Sequence, residues 1–163
     1  MKRRICILGS TGSIGRSALD VVRRHPERFE VSGLAAHSNH ALLAEQIAEF
    51  RPSMAAMVDE AAAARLKRDC PDATILSGLS GLEEIASMPA DVALCAVVGA
   101  VGLKPILRAI EAGSRIALAN KEPLVMAGAL ILEHARAHHV EITPVDSEHS
   151  AIFQCLHGHR PDD

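Results

Sequence analysis

The sequence contains no tryptophan and no tyrosine, and only three phenylalanines. A core built almost without aromatic rings must be aliphatic, and 48% of the residues are hydrophobic. Aliphatic strands buried on both faces are typical of a parallel sheet covered by helices. The length of 163 residues is sufficient for one domain with one hydrophobic core.

The sequence also lacks an excess of basic over acidic residues, long apolar runs, and cysteines at C-x-x-C spacing. It has 17 Lys and Arg against 20 Asp and Glu, so we expect no nucleic-acid partner. The first apolar run, 5–8, is too short for a secretion signal or a membrane span, which predicts a cytoplasmic protein without membrane contact. None of the four cysteines forms a C-x-x-C pair, so neither a disulfide framework nor a zinc site is expected.

Strand-length apolar segments alternate with segments of helical period along the chain. The predicted strands are 4–8, 29–36, 54–58, 91–98, 115–119 and 140–145, with a short one near 73–76. The predicted helices are 13–24, 41–50, 60–69, 82–88, 103–110, 122–137 and 147–156. This order predicts an α/β fold of the Rossmann type, doubly wound, with a mostly parallel sheet and helices on both faces. The first helix is expected to bury Ile14, Ala18, Val21 and Val22.

The segment Gly9-Ser10-Thr11-Gly12-Ser13-Ile14-Gly15 follows the first predicted strand and opens the first helix. Glycines at this spacing permit a tight turn, close approach of the backbone to a pyrophosphate, and packing of helix on strand. The backbone N–H groups and the helix dipole then face the phosphates, and Thr11 and Ser13 add hydroxyl donors. A strand-to-helix turn without ligand is the alternative, but the flanking strand and helix favour dinucleotide binding.

The end of the second predicted strand reads Ala35-Ala36-His37-Ser38-Asn39-His40 and contains no acid. NAD-binding folds usually place Asp or Glu there to accept the ribose 2′-hydroxyl. Its absence permits a 2′-phosphate, to which His37, Ser38 and Asn39 can donate. Ser38 or Asn39 is equally suited to cap the next helix, and the two interpretations are compatible. The turn therefore favours NADP over NAD.

Each of three later loops at predicted strand ends can be interpreted either as part of a ligand site or as a structural turn or helix start. Val97–Gly102 permits passage of a cofactor or forms a simple glycine turn. In Ala119-Asn120-Lys121-Glu122-Pro123, Lys121 suits an anionic substrate, but a helix start capped by Asn120 is the simpler interpretation. Asp146 and Glu148, beside Ser147, suit Mg²⁺ or Mn²⁺. Pattern alone favours a helix cap there too.

Three motifs occur in a fixed order: Gly9 to Gly15, Ala119 to Glu122, and Pro144-Val145-Asp146-Ser147-Glu148-His149. Together they resemble 1-deoxy-D-xylulose 5-phosphate reductoisomerase of the non-mevalonate isoprenoid pathway, over nearly the whole chain. The resemblance implies an enzyme that isomerises 1-deoxy-D-xylulose 5-phosphate and reduces it with NADPH to 2-C-methyl-D-erythritol 4-phosphate. It also implies Mg²⁺ or Mn²⁺ as a cofactor that chelates the sugar-phosphate substrate.

The resemblance implies a role for each residue that matches a motif. Cofactor contacts are implied for Thr11, Gly12, Ser13, Ile14, Asn39, Asn120 and Glu122. Substrate contacts are implied for Lys121, Ser147 and Glu148, and metal ligation for Asp146 and Glu148, which makes Lys121, Asp146 and Glu148 the catalytic set. These roles reverse the helix-start and helix-cap interpretations of the last two loops. Ser38 stays a candidate for the 2′-phosphate on its position alone.

Members of the resembled family continue well beyond this length, with a third metal carboxylate, phosphate-binding residues, a lid and much of the dimer contact. We therefore expect 1–145 to be an NADPH-binding domain and 146–163 the start of a catalytic, metal-binding region. The polypeptide by itself is expected to bind NADPH without turnover, and the full-length protein to form a homodimer. Another NADP-dependent dehydrogenase, such as one like homoserine dehydrogenase, and a non-catalytic NADP-sensing module are the alternatives.

Overall fold

A computed structural model of the chain describes residues 1–156, so the last seven residues of the predicted segment 146–163 lie outside the described residues. The described chain forms one sheet of seven strands, and all the pairings between neighbours are parallel. The strands are β1 Arg3–Leu8, β2 Phe29–Ala36, β3 Met54–Met57, β4 Ile75–Ser77, β5 Val92–Cys95, β6 Arg115–Leu118 and β7 Ile142–Pro144. The helices are α1 Ser13–Arg24, α2 His40–Phe50, α3 Glu60–Asp69, α4 Gly78–Ala86, α5 Leu103–Glu111, α6 Glu122–Ala137 and α7 Ser147–Leu156.

The strand order is β4-β3-β2-β1-β5-β6-β7, so the chain winds outward from β1 and then returns to wind the other way from β5. Successive side chains of a strand point to opposite faces. In β1, Ile7 packs with α1, α2 and α3, whereas Cys6 and Leu8 pack with α4, α5 and α6. The predicted doubly wound sheet with helices on both faces is confirmed, and its order reverses between β1 and β5.

The prediction for the buried face of α1 was wrong in part. Gly15, Leu19 and Val22 are the buried residues of this helix, while Ile14 and Val21 are 38% and 50% exposed. A Cβ atom on Gly15 would lie 2.3 Å from the carbonyl oxygen of Gly9. Because Gly15 must face the loop that closely, the helix is rotated so that Ile14 points away from the core.

Several predicted elements differ in their bounds from the observed ones, among them the strand predicted over 140–145, which is confined to Ile142–Pro144. The strand predicted over 91–98 ends at Cys95, and Val98 is 83% exposed. The chain leaves the sheet here and turns at Gly99, whose φ of +82° suits glycine. The helix predicted from residue 82 starts four residues earlier, at Gly78, directly after β4. Among residues 1–156, no helix combines the length and apolarity needed to cross a membrane.

Candidate functional site

The three motifs meet at one edge of the sheet, where the carboxyl ends of the strands lie. A cavity of about 260 Å³ is lined by Gly12 and Ser13 after β1, by Lys121 after β6, and by Asp146 after β7. Val97 and Val98, after β5, form another part of its wall. The expectation that these polar loops face a shared crevice is confirmed, and ligands of open parallel sheets bind at such edges.

The glycine loop is fixed by backbone contacts. The N–H groups of Gly9 and Ser10 both donate to the carbonyl oxygen of Ala35, each at 2.8 Å. Gly9 has φ +98°, and a Cβ atom there would lie 2.5 Å from the carbonyl oxygen of Ala96. Because β2 and the loop after β5 confine it from both sides, the turn leaves no room for a side chain at Gly9.

A larger cleft of about 520 Å³ lies beside this turn, between the ends of β2 and β5. Gly9, Thr11 and Gly12 of the glycine turn line one side of it. Its walls are largely apolar and are formed by Ala35, Ala36, Val58, Leu79, Leu82, Ala96, Val97, Val98 and Val101. An apolar slot next to free N–H groups at a helix start suits a ligand that joins a flat ring to phosphates.

The turn after β2 divides its polar side chains between two tasks. Asn39 caps α2, because its Oδ1 accepts the N–H of Leu42 at 3.1 Å. His37 is exposed and lines the larger cleft. Ser38 is exposed and does not cap the helix. The capping interpretation is therefore confirmed for Asn39, and the surface beside the cleft carries no carboxylate from this turn.

Asn120 is buried and joins the loops that follow β5 and β6. Its Nδ2 donates to the carbonyl oxygens of Val97 and Gly99, the latter at 3.1 Å. Its Oδ1 accepts the N–H of Glu122 at 3.2 Å, although Lys121 holds the cap position of α6. The amide is thus used within the protein and shapes the wall of the smaller cavity.

Lys121 is exposed and borders two cavities, the one shared with Gly12 and a neighbouring one of about 310 Å³ beneath α7. Its ammonium group forms no ion pair with a residue in the range 1–156. An unpaired cation at the mouth of a cavity attracts an anionic group of a ligand.

Asp146 caps α7 with one carboxylate oxygen. Oδ1 accepts the backbone N–H groups of Glu148 and His149, both at 3.2 Å, and lies 2.9 Å from His149 Nδ1. The hydrogen bond from the His149 backbone is the main cause that lowers the pKa of the Asp146 carboxyl group. Ser147 Oγ donates to Glu148 Oε2 at 2.7 Å. The cap is confirmed, and Asp146 still lines the cavity.

The part of the chain that the structure describes holds no cluster of three or more His, Cys, Asp or Glu residues arranged for a metal ion. Asp146 and Glu148 supply two carboxylates, which are donors that Mg²⁺ and Mn²⁺ prefer. The donor chemistry suits such a cation, but two carboxylates alone form only part of a ligand set.

Sequence reasoning missed part of the apolar walls of the larger cleft, above all Val58 and Leu79, whereas Val101 lies in the segment Val97–Gly102 that was expected to border a cofactor. Val58 follows β3 and Leu79 lies in the first turn of α4, so no spacing in the sequence relates them to the glycine turn. The cleft lies where the loops after β1, β2, β3 and β5 and the start of α4 meet at one edge of the sheet.

Comparison with known proteins agrees with this geometry. The family model described as 1-deoxy-D-xylulose 5-phosphate reductoisomerase matches residues 5–128. A 1-deoxy-D-xylulose 5-phosphate reductoisomerase from Chlorobaculum tepidum is 55% identical over 99% of this chain, and one from Anaeromyxobacter is 53% identical over 96%. The chain belongs to the 1-deoxy-D-xylulose 5-phosphate reductoisomerase family. It spans 43% and 41% of the length of these two relatives.

Solved structures support the same family assignment. The Zymomonas mobilis reductoisomerase in complex with NADPH matches 99% of this chain and 43% of its own, with TM-score 0.95 and 40% identity. A reductoisomerase in complex with NADPH, fosmidomycin and magnesium matches 96% of this chain and 39% of its own, with TM-score 0.91 and 43% identity. A homoserine dehydrogenase from Thiobacillus denitrificans, at 18% identity and TM-score 0.57, shares only the fold.

Proposed function

We propose that this chain is the NADPH-binding portion of a 1-deoxy-D-xylulose 5-phosphate reductoisomerase. The single observation that carries the proposal is the shared cavity, in which the glycine loop, Lys121 and Asp146 line one crevice. Binding of NADPH by the Zymomonas mobilis relative supports the choice of cofactor.

In this proposal the pyrophosphate lies on the turn Thr11, Gly12, Ser13 and Ile14, at the positive end of the α1 dipole. The N–H groups of Thr11, Ser13 and Ile14 face it, whereas the N–H of Gly12 donates to the carbonyl oxygen of Gly9 at 3.2 Å and holds the turn closed. The apolar walls of the larger cleft cover the adenine ring. His37, Ser38 and Asn39 surround the 2′-phosphate, where a carboxylate would repel it. The nicotinamide half extends past Gly12 into the smaller cavity, toward Asn120 and Glu122.

The same edge would hold the metal and the substrate. Asp146 and Glu148 would hold Mg²⁺ or Mn²⁺ through carboxylate oxygens, with further ligands from outside the described residues. When bound, NADPH supplies a hydride and the cation supplies Lewis acidity. Lys121 would neutralise negative charge on the substrate, and Ser147 and Glu148 would orient its hydroxyl groups. Lys121, Asp146 and Glu148 are thus the proposed catalytic residues.

The full-length protein would convert 1-deoxy-D-xylulose 5-phosphate, a sugar phosphate, to 2-C-methyl-D-erythritol 4-phosphate, and act as a cytoplasmic homodimer. Residues 1–145 would form the NADPH-binding domain, and 146–163 the start of the catalytic, metal-binding region. Within residues 1–156 only Asp146 and Glu148 are proposed as metal carboxylates, and no cluster of three metal-binding side chains is present there. The 163-residue polypeptide by itself would therefore bind the cofactor and leave the substrate unchanged.

The test is a titration of the purified chain with NADPH and with NADH, followed by fluorescence or calorimetry. We expect NADPH to bind at least about tenfold more tightly than NADH, which corresponds to about 1.4 kcal/mol. Absence of NADPH binding would contradict the proposal, and equal affinities would contradict the role of the turn after β2. Sustained NADPH oxidation by this chain with 1-deoxy-D-xylulose 5-phosphate and Mg²⁺ would contradict the expected inactivity.

A further inference from the structure

Gln46 is a polar residue on the core face of α2. It is 5% exposed and lies beside Leu43 and Ile47, the other buried residues of that helix. A buried amide without hydrogen bonds destabilises the folded state strongly. The hydrogen-bond partners of Gln46 therefore indicate why a polar residue is buried here.

The amide of Gln46 forms two hydrogen bonds with a single residue of the glycine loop. Ser10 Oγ donates to Gln46 Oε1 at 2.7 Å, and Gln46 Nε2 donates to the carbonyl oxygen of Ser10 at 3.0 Å. Ser10 is fully buried, so its side chain does not reach the cleft. The two hydrogen bonds therefore hold the backbone of the loop from the side of α2, away from the cleft.

The bond to the Ser10 carbonyl sets the direction of the next N–H group. The chain contains no cis peptide bond among residues 1–156, and a trans peptide is planar, with its C=O and N–H pointing opposite ways. Because Gln46 holds the Ser10 oxygen toward α2, the N–H of Thr11 points away from α2. Thr11 lines the larger cleft, and its N–H donates to no residue from 1 to 156.

The loop is thus held from two directions. The carbonyl oxygen of Ala35 accepts the N–H groups of Gly9 and Ser10. Gln46 Nε2 donates to the carbonyl oxygen of Ser10. Thr11 is the first residue of the turn whose N–H is left for a ligand. We propose that Gln46 is a positioning residue, which aims the Thr11 N–H at the pyrophosphate of the dinucleotide. This inference rests on the proposed function, because it assumes that the cleft binds NADPH.

Four variants of the full chain separate this role from a general effect on stability. Gln46→Leu removes both hydrogen bonds, and Gln46→Glu keeps the size and the acceptor but removes the Nε2 donor. Ser10→Ala removes the hydroxyl bond and retains the bond to the Ser10 carbonyl. Ile47→Val is the matched control, since it loosens the core face of the same helix without touching the loop.

The measurements are the dissociation constant for NADPH, well below the unfolding temperature, and the melting temperature. We expect Gln46→Leu and Gln46→Glu to bind NADPH about tenfold more weakly, Ser10→Ala to lose less affinity than either, and Ile47→Val to stay within about twofold of the original chain. The melting temperature should fall in all four.

The outcomes are distinguishable. If Gln46→Glu, which preserves side-chain volume, binds NADPH as tightly as the original chain, the positioning role is contradicted while the proposed function stands. If Ile47→Val weakens binding as much as the Gln46 variants do at equal loss of melting temperature, the effect is one of stability and the inference is overturned. If the original chain does not bind NADPH, the proposed function fails first.

Discussion

Asn120 donates a hydrogen bond from Nδ2 to the carbonyl oxygen of Gly99 at 3.1 Å, and so ties the loop after β6 to the loop after β5. We predict that Asn120→Asp, which has the same shape, destabilises the fold by about 2 kcal/mol, because a carboxylate would face the carbonyl oxygens of Val97 and Gly99. NADPH binding should weaken with it. The measurements are urea unfolding and cofactor titration.

Asn39→Asp is the matched control for this prediction. Asn39 uses its Oδ1 to accept the N–H of Leu42, which a carboxylate does as well. We expect its stability to stay within about 0.5 kcal/mol of the original chain. Equal losses of folding stability in Asn120→Asp and Asn39→Asp would show that the hydrogen bonds between the two loops contribute nothing of their own.

Gly15 is the second point at which the loop tolerates no side chain. A Cβ atom there would lie 2.3 Å from the carbonyl oxygen of Gly9 and 2.6 Å from the Cα of Ser10, and neither backbone atom can rotate away. We predict that Gly15→Ala lowers the free energy of unfolding by about 3 kcal/mol and abolishes detectable NADPH binding. Gly128→Ala, which meets no atom within 4 Å, should do neither. Retained NADPH affinity in Gly15→Ala would disprove the close packing.

A substitution of Lys121 tests its proposed contact with the substrate separately from cofactor binding. In a full-length protein that contains this chain, Lys121→Gln should reduce kcat/KM by about 30-fold, through loss of one charge-assisted hydrogen bond worth about 2 kcal/mol. The dissociation constant for NADPH should hardly change. Lys104→Gln is the control, since Lys104 lies on α5 and pairs with Glu83 at 3.8 Å. An unchanged kcat/KM in Lys121→Gln would remove Lys121 from the site.

Asp146 caps α7 and is also a proposed metal ligand, and one substitution distinguishes the two roles. Asn caps a helix about as well as Asp, so Asp146→Asn should preserve α7 and weaken Mn²⁺ binding at least about tenfold by removing the charge. Electron paramagnetic resonance measures the bound Mn²⁺, and circular dichroism monitors the helix. Asp59→Asn makes the same change at the cap of α3, where Oδ1 accepts the N–H of Ala62 at 2.7 Å. Mn²⁺ binding that falls equally in both variants would argue against Asp146 as a ligand.

Cys6 provides a prediction about pH. Burial raises the pKa of its thiol from 9.0 to about 12. Between these values the unfolded chain loses the thiol proton and the folded chain keeps it, so stability is complete below pH 9 and falls as the pH rises, by at most about 1.4 kcal/mol per unit. Urea unfolding from pH 8 upward should therefore show a shallower decline in Cys6→Ala than in the original chain. Parallel curves would contradict the raised pKa.

The alternation of strands and helices was readable from the sequence because it depends on local spacing of apolar residues. The bounds of α1, α3, α6 and α7 agree with the predicted segments, since each combines a clear period with polar or proline residues at its start. The buried face of α1 was not readable in the same way. Which residues face inward depended on how closely Gly15 approaches Gly9, and this contact joins the helix to a turn.

The sequence by itself determined the fold class, the glycine turn and the absence of an acid after β2, because these are properties of neighbouring residues. Only the tertiary structure decided that Lys121 and Asp146 share a cavity with Gly12 and that Gln46 forms two hydrogen bonds with Ser10. The reason is that a parallel sheet gathers strand ends from distant parts of the chain at one edge. Hydrogen bonds across 36 residues, like those between Ser10 and Gln46, leave no periodic signal in the sequence.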